Sequence, residues 1–159
     1  MRRTRPLRSP RISITALAGR NYVSYLLRHL RRARPLVGGT LVELSVVLVG
    51  DRTMAGLHQR FMDIATPTDV LSFAMDTDSR GRATSGEVVL CVPEARRRAG
   101  RAQADVVREL LLYALHGWLH LCGLDDRTPT GYRSMHRRED DILARLGVGR
   151  VFASGQECR

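Results

Sequence analysis

Apolar side chains recur along this chain with two different periods, and the two patterns alternate. Residues 11–16 (RISITA) alternate polar and apolar positions, which is typical of a half-buried strand, and the β-branched run at 40–49 indicates a largely buried strand. Two shorter strands are predicted at 69–75 and 86–92, with the polar segment 76–85 between them as a loop. The pattern therefore predicts about four strands.

Helical periodicity occupies most of the remaining segments. Segment 104–121 is apolar on most faces, so we expect it to form a central buried helix. Together with the strands, the helices predict an α/β or α+β fold with one small mixed sheet of about four strands and about five helices. The predicted helices are about 20–34, capped by Asn21 and ending before Pro35, then 51–61, 93–100, 104–121 and 131–146, the last with Met135, Ile142 and Leu146 facing inward.

The length of the chain limits the number of domains. With 159 residues, 43% of them hydrophobic, we expect one domain at 11–150 between an arginine-rich tail at 1–10 and a second tail at 151–159.

No apolar run approaches the roughly 20 residues that span a bilayer, and no secretory signal is recognisable, so a protein without a membrane partner is expected. The three cysteines are widely spaced, which predicts a reducing, cytoplasmic setting and no disulfide-linked partner.

Positive charge is concentrated at one end of the chain. Residues 1–42 contain ten arginines and no acidic residue, whereas sixteen arginines meet sixteen acids from Glu43 onward, so the N-terminal quarter carries the whole net charge of +10. The planar guanidinium donates two hydrogen bonds to one phosphate, so polyanion binding is the main expectation. A solvated tail with no specific role and an organelle-targeting segment remain the alternatives.

The segment HGWLHLCGLDD (116–126) carries the most specific pattern in the chain. On a helix, His116 and His120 leave the same face with Cβ atoms about 5–6 Å apart, so both imidazoles can reach one ion. Gly123 is expected to end the helix in the left-handed conformation and turn the chain back. Asp126 is then placed to complete a three-ligand metal site. A histidine pair alone is more often structural, and the glycine turn with a carboxylate beyond it is what favours a metal site.

The same spacing occurs in zinc proteases, whose motif is HExxHxxGxx followed by His or Asp. In those enzymes the Glu after the first His is the general base that activates water. Gly117 stands at that position here, so peptide hydrolysis would lack its proton shuttle. A protease is therefore disfavoured.

On these residues the chain resembles the YbeY family of bacterial endoribonucleases and ribosomal RNA maturation factors, whose signature is HGxLHLxGYDH. Seven of the nine fixed positions match; Leu124 replaces the tyrosine and Asp126 replaces the third histidine. The segment TPTDVLSFA (66–74) is similar to the family's PTDVLSFP, and Gly86-Glu87-Val88 is similar to its GDI. Residues that match its closing helix are Met135, Glu139, Ile142, Leu143, Leu146 and Gly147.

The resemblance implies a single-strand-specific, metal-dependent endoribonuclease that acts in maturation of the 3′ end of small-subunit ribosomal RNA and in ribosome quality control. Ribosomal RNA and the small ribosomal subunit are the implied partners. It also implies one zinc ion held by three neutral histidines, with a net charge of +2. Asp126 as a ligand lowers that charge to +1, so the centre should acidify water less and attract a phosphodiester more weakly. Manganese or magnesium competes better at a carboxylate, although two imidazoles still favour zinc.

Other residues take their expected roles from the same resemblance. Arg60 fits the arginine that the family carries near its metal pocket and would hold the phosphate, the alternative being a surface salt bridge. Asp125 lies where the family has an aspartate beside its third ligand, so it is expected to support the site rather than bind the metal. Further supporting positions are Gly117, Gly123, Thr68 and Asp69, and for Thr68 and Asp69 a turn that ends the preceding loop is an equal alternative. The concentration of positive charge, and not the resemblance, gives the residues expected to bind RNA phosphates, which are Arg28, Arg31, Arg32 and Arg34. The isolated histidines His29, His58 and His136 are expected to be solvent-facing or satisfied within the protein rather than functional. His58 lies two residues before Arg60, so a place at the border of the same pocket is its alternative.

Three functions remain open from the sequence. The first is the metal-dependent endoribonuclease that the resemblance implies. The second is a non-catalytic ribosome-assembly or RNA-binding factor with a structural metal. The third is a zinc hydrolase acting on a substrate other than RNA.

Overall fold

A computed structural model of the chain describes residues 9–64, 66, 68–99 and 103–149. Most of the predicted N-terminal tail, the whole predicted C-terminal tail with Cys158, and the predicted helix end at Gly100 lie outside these residues. A short 3-10 turn, Arg20–Tyr22, leads into the first helix. The elements in chain order are β1 (Arg11–Ala16), α1 (Val23–Val37), β2 (Glu43–Val49), α2 (Asp51–Met62), β3 (Val70–Thr77), β4 (Ala83–Cys91), α3 (Val92–Ala99), α4 (Gln103–Leu121) and α5 (Pro129–Arg145).

The four strands form one mixed sheet in the order β1-β2-β4-β3. β1, β2 and β4 run parallel, whereas β3 pairs antiparallel with β4. Parallel neighbours need a long connection, and α1 supplies it between β1 and β2, while a tight turn suffices between β3 and β4. The prediction of one small mixed sheet with about five helices is confirmed. None of the helices in the described ranges is long and apolar enough to cross a membrane.

The predicted loop at 76–85 is wrong in its extent, because half of it belongs to the two strands of a β-hairpin. β3 continues to Thr77 and β4 begins at Ala83. Asp78 closes the turn: its Oδ1 accepts hydrogen bonds from the backbone N–H groups of Arg80 and Arg82 at 2.9 and 3.0 Å. This stretch of β3 is exposed, so it shows no alternation of apolar residues from which a strand is predicted.

The prediction that the first helix ends before Pro35 is also wrong, because α1 continues through Pro35 to Val37. Proline lacks the N–H that would bond to the carbonyl of Arg31, four residues earlier. The Nε of Arg34 donates to that carbonyl instead, at 3.1 Å. Asn21 does not cap the helix, since it lies within the 3-10 turn and Tyr22 takes the N-cap position.

The central helix α4 packs closely against the sheet, as expected for a segment that is apolar on most faces. A Cβ atom added to Gly117 would lie 2.6 Å from Cγ1 of Val88 on β4. A Cβ atom added to Gly86 on β4 would lie 2.5 Å from Cδ1 of Leu121 at the end of α4. The two glycines therefore let the C-terminal half of α4 approach β4 more closely than any side chain there would allow.

Replacing Gly117 with alanine should therefore destabilise the protein. The added methyl group forces Val88 or the helix to move, and overpacking of this kind costs about 1–3 kcal/mol of the free energy of unfolding. Gly56 is the matched control, because it lies on the exposed side of α2 with no atom within 4 Å of an added Cβ. Gly56→Ala should raise the free energy of unfolding by about 0.5–1 kcal/mol through helix propensity. Denaturant unfolding of both variants measures the difference, and equal stability of Gly117→Ala and wild type would disprove the close packing.

Candidate metal centre

The end of α4 places both histidines and reverses the chain. His116 and His120 lie one turn apart in the last two turns of the helix, with ring centroids 4.5 Å apart. Gly123 follows with a φ of 96°, a conformation that costs a glycine little. The backbone N–H of Leu124 then donates to the carbonyl of Leu119 at 3.1 Å, which closes the helix as in a Schellman motif. The predicted helix end at Gly123 is confirmed.

The loop after Gly123 is held against the start of α5. Thr128 caps that helix, because its Oγ1 accepts a hydrogen bond from the N–H of Gly131 at 3.0 Å. Gly131 itself lies so close to the Asp125 carbonyl oxygen that a Cβ atom at this position would overlap it. The tight packing of the loop on α5 turns Asp126 back toward the histidines.

His116, His120 and Asp126 bring three ligand atoms together within 4.8 Å of one another. The two Nε2 atoms lie 3.0 Å apart, and each lies 3.3 Å from an oxygen of Asp126. Ligands about 2.0–2.1 Å from a tetrahedral ion are separated from one another by about 3.4 Å, so these spacings fit one small divalent ion. The side chains are 21–29% exposed, which leaves the site open to solvent and to a substrate on one side. Two imidazoles and one carboxylate thus form a donor set that can hold one divalent ion.

Asp125 points to a different partner. The Nη2 of Arg127 donates to its Oδ2 at 2.8 Å, and the Nε of Arg127 lies 3.0 Å from both carboxylate oxygens. These hydrogen bonds lower the pKa of Asp125 to about 2. The structure therefore brings Asp126, and not Asp125, to the histidines. Asp125 instead bonds to Arg127 within the loop that carries Asp126.

A buried carboxylate on α5 completes the surroundings of His116. Oε1 of Glu139 lies 2.6 Å from Nδ1 of His116, and its Oε2 lies 2.9 Å from Nδ1 of His136. Burial is the largest single influence on the pKa of His116 and lowers it, but the hydrogen bond to Glu139 together with the negative charges of Glu139, Asp126 and Asp69 raises the pKa above its ordinary value. His136, expected from the sequence to be solvent-facing or satisfied within the protein, is hydrogen-bonded to the carboxylate that it shares with His116.

The sequence model described as Endoribonuclease YbeY matches residues 9–147, which include every residue of this site. The chain belongs to the YbeY family. An endoribonuclease YbeY from Moorella thermoacetica is 35% identical over 142 residues, which cover 83% of this chain and 91% of that protein. Another from Frankia alni is 43% identical over 126 residues, which cover 73% of this chain and 70% of that protein.

A solved structure gives the same fold. The solution structure of a Thermotoga maritima protein matches with a TM-score of 0.53, covering 94% of this chain and 100% of that chain. The two sequences are 23% identical, so this likeness concerns the fold alone.

Zinc proteases have a glutamate where this YbeY-family chain has Gly117, and the structure leaves no room for a side chain at that position. A glutamate at 117 would collide with Val88, and its Cβ would lie 3.3 Å from Cγ2 of Val70 as well. Cys122, two residues beyond His120, has its Sγ 4.0 Å from the carbonyl oxygen of Gly38. Neither residue supplies a further metal ligand.

The remaining predicted site residues contact partners outside the group of candidate ligand atoms in this YbeY-family chain. Asp69 is near enough for its charge to act on His116, and it is anchored by the N–H of Val70 at 2.8 Å and by Arg98 at 3.4 Å. Thr68 donates to Asp69 at 3.3 Å rather than to the histidines. Arg60 is exposed in the last turn of α2, with its guanidinium 5.5 Å from the Phe61 ring, and no ion pair joins it to Asp126.

The predicted RNA-binding arginines share α1. Arg28, Arg31 and Arg32 are exposed, while Arg34 is half-buried. Arg31 and Arg34 line a cleft of about 500 Å³ together with Arg11, which pairs with Glu43 across the edge of the sheet. Three guanidinium groups and one carboxylate line this cleft, so its charge is positive.

Proposed function

We propose that this protein is a metal-dependent endoribonuclease that cuts single-stranded RNA during maturation of ribosomal RNA. The observation that carries the proposal is the convergence of His116, His120 and Asp126 within 4.8 Å, in a chain that belongs to the YbeY family. The proposed substrate is the 3′ end of small-subunit ribosomal RNA, met on the small ribosomal subunit in the cytoplasm, where the protein also serves ribosome quality control. Membership of the YbeY family and the arginines clustered on α1 support RNA as the substrate.

The proposed metal is one zinc ion, because two imidazole nitrogens favour zinc, while the carboxylate of Asp126 leaves manganese and magnesium as competitors. When bound, the ion supplies a Lewis acid for a phosphodiester oxygen or for an attacking water. His116 and His120 present neutral donors, and Asp126 removes one unit of positive charge from the centre. The site should therefore bind a phosphodiester less tightly than one built from three histidines.

Arg60 is the proposed phosphate contact. Its guanidinium is exposed, and no carboxylate among the described residues forms an ion pair with it, so its donors remain available to a substrate. A guanidinium beside the scissile phosphate would offset charge that develops on the phosphate oxygens. Asp69, just before β3, is proposed to support the centre through its charge, which acts on His116, and Thr68 is proposed to hold the Asp69 carboxylate in place.

The arginines of α1 are proposed to bind RNA phosphates that lie away from the phosphodiester that is cut. Gly39, just after α1, lies against Cys122, since an added Cβ would be 2.8 Å from its Sγ. Cys122 is two residues beyond His120, so the end of α1 and the metal ligands occupy the same end of the fold. Contacts from Arg28, Arg31, Arg32 and Arg34 to phosphates supply affinity that does not depend on base sequence and that falls with salt.

A cleavage assay with one RNA in two forms tests the function. A labelled fragment that spans the 3′ end of small-subunit ribosomal RNA is offered single-stranded or annealed to its complement, with zinc-loaded protein. We expect the single strand to be cut and the duplex to be spared, because the half-buried centre reaches a flexible phosphodiester more readily than one held in a helix. Cleavage in neither form, with zinc, manganese or magnesium, would reject the nuclease and favour a non-catalytic assembly factor.

A further inference from the structure

Glu139 is a charged residue in the interior of the protein, with its side chain only 1% exposed. Both of its oxygens are used: Oε1 lies 2.6 Å from Nδ1 of His116 on α4, and Oε2 lies 2.9 Å from Nδ1 of His136 on α5. A buried carboxylate without such partners would cost several kcal/mol. The three side chains therefore form a continuous hydrogen-bonded chain that ends at a proposed metal ligand.

The direction of these hydrogen bonds decides what His116 offers to the ion. An ionised carboxylate only accepts, so His116 carries its proton on Nδ1 and its lone pair on Nε2. That Nε2 lies 3.0 Å from Nε2 of His120 and 3.3 Å from Asp126, inside the group of ligand atoms. Glu139 thus fixes both the ring orientation of His116 and the tautomer that can bind metal.

We propose that Glu139 is the positioning residue of the metal centre and that His136 in turn holds Glu139 in place. The inference rests on the proposed metal site and adds to it a support that comes from a different helix. Carboxylates that accept a hydrogen bond from a metal-binding histidine also raise the basicity of that histidine. With Asp126 in contact with the ion and Glu139 behind His116, two carboxylates balance the two charges of a zinc ion.

Asp126 is a carboxylate at the position where the family signature has a third histidine. Loss of the Glu139 charge would leave Asp126 as the carboxylate in contact with the ion. A glutamine amide can turn either its oxygen or its N–H₂ group toward Nδ1 of His116, so it would no longer fix the tautomer of that imidazole.

The test is zinc affinity of the full-length protein, measured by competition with a chelator in the absence of RNA. Glu139→Gln should weaken zinc binding by about 10–100-fold, which is the usual effect of removing a residue that supports a metal ligand. Asp141→Asn is the matched control, since it removes the same charge from α5 at an exposed position that pairs with Arg145. Zinc affinity of Asp141→Asn should equal that of wild type. An affinity of Glu139→Gln within about twofold of wild type would overturn the proposal.

A second pair of variants keeps the test decisive if Glu139→Gln is too unstable to purify. His136→Leu removes the donor to Oε2 and should weaken zinc binding, whereas His136→Asn retains a side-chain N–H near the Nδ1 position and should restore most of it. A purely structural role of Glu139 would instead lower the unfolding free energy of the zinc-free variants and leave zinc affinity of the folded protein unchanged. If wild type binds zinc and cuts RNA but the His136 pair shows no difference, only this inference fails; if wild type binds no zinc, the proposed function fails with it.

Discussion

Asp126→Ala should weaken zinc binding by more than about 100-fold, since loss of a residue that merely supports a ligand already costs about 10–100-fold. Asp126 lies 3.3 Å from both Nε2 atoms, so its removal leaves two of the three donors. Asp125→Ala removes the same chemical group one residue earlier, where it pairs with Arg127 instead. Chelator competition should therefore separate the two variants, with Asp125→Ala near wild type. The opposite order would mean that Asp125 is the ligand.

Asp126→His tests the charge argument at the same position. The variant recreates the family signature, keeps three donors and raises the net charge of a zinc centre from +1 to +2. It should retain zinc and cut RNA at least as fast as wild type, because a more cationic centre acidifies water and attracts a phosphodiester more strongly. A variant that holds zinc but cuts RNA more slowly would show that the aspartate contributes more than coordination.

The three candidate metal ligands could be predicted from the sequence because they lie close together in the chain. His116 and His120 are one helical turn apart, and Gly123 ends that helix in a conformation that few other residues adopt. Asp126 then lies within the reach of a single tight loop. The spacing of eleven residues thus encodes most of the geometry, and the packing of Gly131 against the Asp125 carbonyl supplies the remainder.

The contact of Glu139 with the centre could not be predicted from local spacing, because its partner His116 is 23 residues earlier on another helix. One signal does exist: Glu139 lies between Met135 and Ile142 on the inward face of α5, and an acid on an apolar face requires a buried partner. The pattern cannot name that partner, since the choice depends on how α5 packs against α4.

Two errors in the fold have local physical causes. The extension of β3 to Thr77 depends on Asp78 and on pairing with β4, neither of which produces apolar alternation. The extension of α1 past Pro35 depends on the Arg34 side chain, which satisfies the carbonyl that proline leaves without its usual donor. In both cases a side chain that bonds to the backbone outweighs the local propensity.

His116→Ala should reduce RNA cleavage by about 1,000-fold or more, because metal assistance contributes several kcal/mol to the stabilisation of a transition state. The variant loses one of the two imidazole donors and also leaves the buried carboxylate of Glu139 without one of its partners. His29→Gln is the control, since His29 lies on α1 and its Nδ1 bonds to the Tyr25 carbonyl rather than to a residue of the centre. Circular dichroism establishes whether each variant is folded.

The initial rate of single-stranded RNA cleavage by His116→Ala, measured beside wild type and His29→Gln in one zinc-containing buffer, tests metal-dependent cleavage most directly. The metal centre predicts loss of cleavage in folded His116→Ala and a wild-type rate in His29→Gln. An undiminished rate in folded His116→Ala would contradict catalysis by a metal held at His116, His120 and Asp126.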